Sequence, residues 1–400
     1  MKILFFSPYS YPYISGLVTF PLKILKYLAK KNDITILTFC HNKNLPCREK
    51  VSGINIIRMP FIFKISKGFI SPQSIIYFLK YTQKSDLIIL NIPNFEGFIL
   101  AIISKIYHKK IISIFHCQVN LGNDIFSKVI NFFLNLSVYL QLLLCSKIIA
   151  TSKDYINSLL IGKLFRNKIS IILPPVHKLP VNADKLAEFK KIKGNSIWVG
   201  YTGRISQEKG LEYLIEAVNF IRHSGKRSDS RIVVKNNDSG QAGMTDIELV
   251  FAGPYGSDVI GENHYYLKIK NLLDQYKIPC RFFGNLSDGD LGAFYKSIDL
   301  LVLPSINKTE AFGMVQVEAM LLGTPVIATN LPGVRIPIQL TGMGILVSPK
   351  NHIQIAQAIK NILQNQIKYS NAQLVNNTRK IFNSQKVFDF YDKVLTLTII

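Results

Sequence analysis

Arg204 and Lys209 stand on either side of a short loop in TGRISQEKGLEYL, just ahead of a helical pattern that begins near Gly210. Two cations beside helix-terminal amides suit a pyrophosphate, whose charge grows as the bond to its terminal oxygen breaks. Gly203 gives the preceding apolar run a tight exit. A second loop, FAGPYG, contains Gly253. A third lies in LLVLPSINKTEAFGMVQVEAMLLGTPVIATN, where Glu310 and Glu318 are eight residues apart. On a helix that spacing turns through about 80°, so both carboxylates are expected to address one cleft from different depths. One would accept hydrogen bonds from sugar hydroxyls and the other from a ribose diol. Phe312, Gly313 and Met314 are expected to start the helix, with Gly323 closing it and Pro325 beyond. The structural alternative is a pair of ordinary surface cations, a Glu310 that complements a helix dipole, and a solvated Glu318.

The first half offers Ser15-Gly16, after the loop YSYPYISG, where a glycine could let backbone approach a ligand. His116 ends the apolar run IISIF, at the edge where ligands bind in open parallel sheets. It could hydrogen-bond a substrate or a leaving phosphate, or simply cap and pack. The other histidines form no ligand cluster, and no metal site is expected.

These loops need a scaffold, and the chain alternates strand-length apolar runs with longer helical patterns, the mark of βαβ units. KILFF, DITILTF, INIIRM, DLIILN, IISIFH and IIAT are the strand candidates of the first half. Leu22 to Lys30, Phe95 to Tyr107 and Phe126 to Leu144 are helix candidates. A polar stretch, KLPVNADKLAEFKKIKGN, is expected to connect two domains, and a second alternation starts at SIWVGYTG. Residues 224–246 are expected to form a surface excursion, and Ser384 to Leu395 a packing helix.

With 400 residues and 48% hydrophobic composition, two domains of ordinary size are expected. The N-terminal MKILFFSPYS is too briefly apolar for a secretory signal and reads as a strand. Val129 to Cys145, interrupted by Asn131, Asn135, Ser137 and Gln141, is expected to be a buried helix rather than a transmembrane one, with a surface-lying amphipathic helix as the alternative. Five scattered cysteines, with no C-x-x-C pair, fit thiols in a reducing cytoplasm. Residues 1–180 hold 23 Lys and Arg against 6 Asp and Glu, a net of +17 out of +23 for the whole chain. That field could gather anionic lipid or an anionic substrate, or be a solvated lysine coat. Nucleic acid is disfavoured, because no basic run is interleaved with stacking aromatics.

The ordered series GRISQEKGLEYLIEA, FAGP, FFGNLSDGDLGAFYKSIDLLVLPS and EAFGMVQVE, followed by AMLLGTPVIAT, resembles the family 4 retaining glycosyltransferases. The likeness covers nearly the whole chain and is strongest from Tyr201 to Val347. It implies the GT-B fold, α/β, with two Rossmann-like doubly wound domains facing a central cleft. The implied domains are an acceptor-binding domain over 1–178, a nucleotide-sugar-binding domain over 179–380, and a final helix over 381–400 that returns to the first.

The resemblance also implies roles. Arg204 and Lys209 would bind the donor diphosphate and Glu318 its ribose. Glu310 would touch the transferred sugar with the amides of Phe312 to Met314, and Gly284 would approach the base. Gly203 and Gly253 would line the donor site, with Gly16 in an N-terminal glycine loop and His116 facing sugar and phosphate. Two features depart from the pattern: Ser15-Gly16 replaces paired glycines, and GVRIPIQLTGMG lacks the usual Glu after TPVIATNLPG.

The expected activity is a retaining hexosyl transfer from a nucleoside diphosphate sugar to a lipid-linked or surface-polysaccharide precursor, with no cofactor and no metal. The expected place is the cytoplasm, with peripheral contact at the anionic inner face of the plasma membrane. The rivals are a nucleotide-sugar epimerase or hydrolase on the same fold, and a non-enzymatic basic membrane-binding protein.

Overall fold

A computed structural model describes all residues except 14, 66–67, 121–124, 225–246, 260–261 and 400. The excursion expected over 224–246 therefore lies, from 225 onward, outside the described residues. The chain forms two compact units: Met1–Pro175 with Ser384–Ile400, and Val176–Asn383.

Unit 1 contains β1 (Lys2–Phe6), β2 (Asp33–Phe39), β3 (Arg48–Val51), β4 (Ile54–Met59), β5 (Phe63–Ile65), β6 (Gly68–Ile70), β7 (Leu87–Ile92), β8 (Lys110–Phe115), β9 (Lys147–Ala150) and β10 (Ile169–Ile171). Its helices are α1 (Gly16–Leu28), α2 (Ser74–Gln83), α3 (Gly97–Ile106), α4 (Ile125–Leu144), α5 (Lys153–Asn157) and α6 (Leu160–Leu164). Eight strands make one sheet in the order β10-β9-β8-β7-β1-β2-β4-β3, parallel except for β3. Continuous apolar runs such as LIILNI, buried at every residue, are what a sheet covered on both faces requires. The order reverses between β1 and β7. Right-handed crossovers then put α1 on one face of the sheet and α2, α3 and α4 on the other, where they pack side by side.

Unit 2 contains α7 (Ala183–Lys193), β11 (Ile197–Thr202), α8 (Leu211–Ser224), β12 (Ile247–Ala252), α9 (Asn263–Gln275), β13 (Cys280–Phe282), α10 (Asp288–Ser297) and β14 (Leu300–Leu303). It continues through α11 (Met314–Leu321), β15 (Val326–Thr329), α12 (Ile336–Thr341), β16 (Gly344–Val347), α13 (His352–Gln364), α14 (Gln366–Tyr369) and α15 (Ala372–Ile381). The sheet is wholly parallel in the order β13-β12-β11-β14-β15-β16. Alternate residues of β11 feed two cores. Ile197, Val199 and Tyr201 join the side of α8 and α13, while Trp198 joins that of α7 and α10. The last helix, α16 (Ser384–Ile399), belongs to unit 1, where Phe388 stacks on Tyr27 of α1 at 4.4 Å.

Three sequence expectations are corrected. The polar stretch expected to connect domains is instead an integral part of unit 2. Its helix α7 buries Phe189 against Trp198 and Phe283, and Asn182 donates to Asp290 at 2.8 Å. A single well-placed aromatic outweighs the polar composition, because its burial alone contributes about 2–3 kcal/mol. Helix α1 starts at Gly16 rather than Leu22 and carries Pro21 inside it. Pro21 leaves the Leu17 carbonyl without its helical donor, and Asn91 Nδ2 donates to that oxygen instead at 2.8 Å. Finally, α4 is not a buried helix. Ser137, Val138, Gln141 and Leu142 are its buried residues, and half of its aromatic and aliphatic side chains are exposed.

Candidate functional site

In unit 2 the chain runs from β11 out to β12 and β13 on one side, and from β14 to β15 and β16 on the other. The switch point therefore lies between β11 and β14, where an open parallel sheet offers a crevice at its carboxyl end. The two loops that leave these strands carry the charged candidates.

The loop after β11 turns at Gly203, whose φ of +135° is foreign to residues with a Cβ. Gly203 N donates to the Ala252 carbonyl at 2.9 Å, and Gly253 N to the Gly284 carbonyl at 2.8 Å, so three glycines step across the ends of β11, β12 and β13. A Cβ on Gly253 would lie 2.4 Å from the Gly203 carbonyl oxygen, whereas one on Gly284 would meet open space. Backbone packing sets Gly253. The open space beside Gly284 leaves room for a ligand to approach its backbone.

Arg204 follows, its carbonyl held by the buried Tyr201 hydroxyl at 2.7 Å and its guanidinium 3.3 Å from Glu208. One helical turn brings the chain to Gly210, left-handed at φ +61° and packed against Ile306 and the Pro304 carbonyl of the loop after β14. Ile306 N donates to the Glu208 carbonyl at 3.0 Å, and Lys209 Nζ forms an ion pair with Glu310 Oε2. The two loops are thus tied by backbone and by charge. Burial pulls the Glu208 carboxyl upward, but Lys209, Arg204 and Ser206 together hold it below the usual carboxylate range, so both cations act on one point.

Helix α11 starts where Phe312 to Met314 are expected to start it, so Glu310 lies ahead of it and the helical turn of about 80° does not relate it to Glu318. Glu310 Oε1 accepts from Gly313 N at 2.9 Å. Gly313 is left-handed at φ +73°, and Leu303 and Gln316 fill the space a Cβ would take, so both conformation and packing call for glycine. The chain turns there, and the amides of Met314 and its successors start a helix whose first turn has no acidic side chain. Phe312 is buried, its ring 6.1 Å from that of Phe382, so only its backbone can serve a ligand. Glu318, on α11, accepts from the Tyr295 hydroxyl at 3.1 Å. Burial and then the Glu318 charge keep that phenol protonated far above its ordinary range.

Unit 1 has its own switch point, between β1 and β7. Ser7 follows β1, Asn91 lies in β7 and His116 follows β8. Asn91 Nδ2 donates to Ser7 Oγ at 3.0 Å and to the Leu17 carbonyl, which can only accept. Its Oδ1 therefore faces His116 Nε2 at 2.7 Å, and that nitrogen must carry the proton. Burial pushes the His116 pKa down to about 3, so at neutral pH Nδ1 is an acceptor only. Gly16 is exposed and opens α1 in ordinary helical backbone, and its conformation does not demand a glycine. The loop that leads to it is anchored by buried Arg58, whose guanidinium donates to the Tyr11 carbonyl at 2.7 Å and the Pro46 carbonyl at 2.8 Å and pairs with Glu49.

Arg204, Lys209, Glu310, Gly203, Gly253, Gly284 and Gly313 therefore gather at one end of the unit 2 sheet, and Glu318 is placed on α11 with Tyr295. Sequence reasoning missed Glu208, Tyr295, Arg58 and Asn91. The first three carry no local signal. Asn91 does: a lone amide inside the buried run LIILNI must find partners or cost stability.

The family described as "Glycosyl transferases group 1" matches residues 182–381. An uncharacterized glycosyltransferase of Methanocaldococcus jannaschii is 31% identical over 163 residues, covering 41% of this chain and 35% of the relative. A D-inositol 3-phosphate glycosyltransferase of Corynebacterium diphtheriae is 27% identical over 165 residues, covering 41% and 34%. The matched stretch thus spans about a third of the length of these relatives. Among solved structures, Anabaena HepE in complex with UDP and glucose superposes with a TM-score of 0.73 at 19% identity, covering 99% of each chain. Sucrose-phosphate synthase of Thermosynechococcus elongatus gives 0.74 at 17%, again covering 99% of each. These likenesses assign the fold as GT-B, an α/β architecture of two Rossmann-like domains.

Proposed function

The chain belongs to the glycosyl transferases group 1, and we propose that it is a retaining, family 4 hexosyltransferase. In this proposal a sugar moves from a nucleoside diphosphate sugar to a lipid-linked or surface-polysaccharide precursor. The observation that carries it is the tie between the loops after β11 and β14, where Lys209 meets Glu310 and Arg204 and Lys209 both act on Glu208 at the switch point.

Arg204 and Lys209 would hold the donor diphosphate, competing with Glu208 and Glu310 for the same cations. Charge accumulates on the phosphate oxygen as the glycosidic bond breaks, so these cations stabilise the transition state more than the ground state. The acceptor oxygen bonds to the anomeric carbon on the face the phosphate leaves. Its proton passes to the departing phosphate oxygen, so no side chain need act as nucleophile and configuration is kept. Glu310, fixed by Gly313 N, would accept from hydroxyls of the transferred sugar. Glu318, oriented by Tyr295, would accept from the ribose diol, and Gly284 would leave room for the base. Neither step calls for a metal or cofactor. In unit 1, the bare Nδ1 of His116 would accept from a substrate hydroxyl; it has no proton to give a phosphate at neutral pH.

The deciding assay is a panel of nucleoside diphosphate sugars with membrane lipid extract, scored by mass spectrometry for sugar added to lipid and nucleotide released. Release of nucleotide without a glycosylated product would assign a hydrolase instead, and no uptake of UDP or GDP by calorimetry would remove the donor site altogether.

A further inference from the structure

The face of unit 1 built by α2, α3 and α4 presents a band of large apolar side chains to solvent. On α4, Ile125, Phe126, Val129, Phe132, Phe133 and Leu136 are exposed, Phe132 at 63% and Phe133 at 54%. At 3.6 residues per turn they share an arc of about 120°. The buried Ser137, Val138, Gln141 and Leu142 occupy the opposite arc, against the body of the unit. Helix α3 adds exposed Ile99, Ile102 and Ile106, and α2 adds Ile75, Ile76 and Leu79. Because α2 packs on α3 and α3 on α4, these rows lie side by side. Soluble surfaces scatter such residues singly, and a contiguous band marks an interaction face.

Charge selects the occupant. The three helices carry Lys80, Lys105 and Lys128 and not one Asp or Glu. Lys128 falls about 60° from Ile125 on the flank of the apolar arc, where its head can reach out past the aromatic row. A second copy of this face would set lysines against lysines. Acidic lipid headgroups complement them, while the acyl boundary accepts the aromatic and aliphatic side chains.

Helix α4 has the length and hydropathy of a membrane span. Yet Ser137 Oγ donates to the Phe95 carbonyl at 2.7 Å and Gln141 Nε2 to the Asn94 carbonyl at 2.9 Å. These bonds keep it on the sheet, its apolar arc outward, in the posture of a helix lying in the plane of an interface.

We propose that unit 1 seats on an anionic bilayer through the outer face of α2, α3 and α4, with Phe132 and Phe133 entering the headgroup boundary. Exposure and charge carry this inference, and it holds whether or not the donor site is as proposed above.

The full-length protein would be sedimented with vesicles of phosphatidylcholine containing phosphatidylglycerol, and with phosphatidylcholine alone. Binding is expected to the first and to fall about tenfold or more on the second and in high salt. The double variant Phe132→Ser with Phe133→Ser should lower binding by a similar factor, and Lys128→Glu should lower it too. Phe220→Ser, an exposed aromatic of α8 in unit 2, should change nothing. Absence of vesicle binding, equal binding to both lipids, or a lipid-free dimer of the wild type that the double variant dissolves would overturn the proposal. Calorimetric uptake of UDP or GDP, read on the same samples, reports separately on the donor site.

Discussion

Lys209 and Glu310, 101 positions apart in the chain, meet as a part-buried ion pair that joins the loops leaving β11 and β14. A phosphate entering beside Lys209 must share that ammonium with Glu310. Lys209→Ala should therefore weaken UDP or GDP binding about 10–100-fold, the effect of one charge-assisted hydrogen bond of about 1.5–3 kcal/mol. Glu310→Gln should leave nucleotide binding intact and depress turnover of the sugar donor. Calorimetry with free nucleotide, beside steady-state rates with the sugar donor, separates the two. Equal loss in both assays for both variants would deny them distinct roles.

Gly253 and Gly284 both need positive φ, but a Cβ on Gly253 would strike the Gly203 carbonyl oxygen at 2.4 Å while one on Gly284 meets nothing. Gly284→Ala should cost about 1–2 kcal/mol, the ordinary penalty of a left-handed alanine. Gly253→Ala should cost more, because backbone has to move as well. Urea denaturation followed by fluorescence ranks them, and the reverse order would contradict the stacked-glycine geometry.

His116 titrates far below its usual range because burial disfavours its charged form. Between its unfolded pKa of about 6.5 and its folded value of about 3, the unfolded chain binds the extra proton. Stability from this group is thus fully present above pH 6.5 and is lost as pH falls, by at most about 1.4 kcal/mol per pH unit. Glu96 opposes this, since burial raises its carboxyl and its contribution fades as pH rises. The contrast between wild type and His116→Gln isolates the imidazole: the wild type should lose more stability from pH 7 to pH 5. Asn91→Ala should also destabilise, by about 1–3 kcal/mol, because it orphans both the Leu17 carbonyl and His116.

Arg58 lies buried between two carbonyls and Glu49, far from every charged candidate of unit 2 in sequence. Arg58→Ala should destabilise unit 1 by about 3 kcal/mol, toward the low end for broken buried pairs because Glu49 keeps some solvent. Arg58→Lys should recover only part of it, since an ammonium lacks the fork that spans both carbonyls. Chemical denaturation checks both, and full rescue by lysine would show that charge alone matters there.

What the amino-acid order determined by itself is local. Alternating apolar runs dictate βαβ units, and loops at the ends of β11, β12 and β14 carry their glycines and charges in plain view. Arg204, Lys209, Glu310 and the glycines at 203, 253 and 313 were legible because turn chemistry and charge are short-range properties, while Gly284 came only from the resemblance. The tertiary structure alone decided which charges meet. It paired Lys209 with Glu310 and let Asn91 repair the carbonyl that Pro21 orphans. It also turned the aromatic arc of α4 outward and folded the polar stretch around Phe189 into unit 2. Pairing and burial depend on residues distant in the chain, so no window along it can contain them.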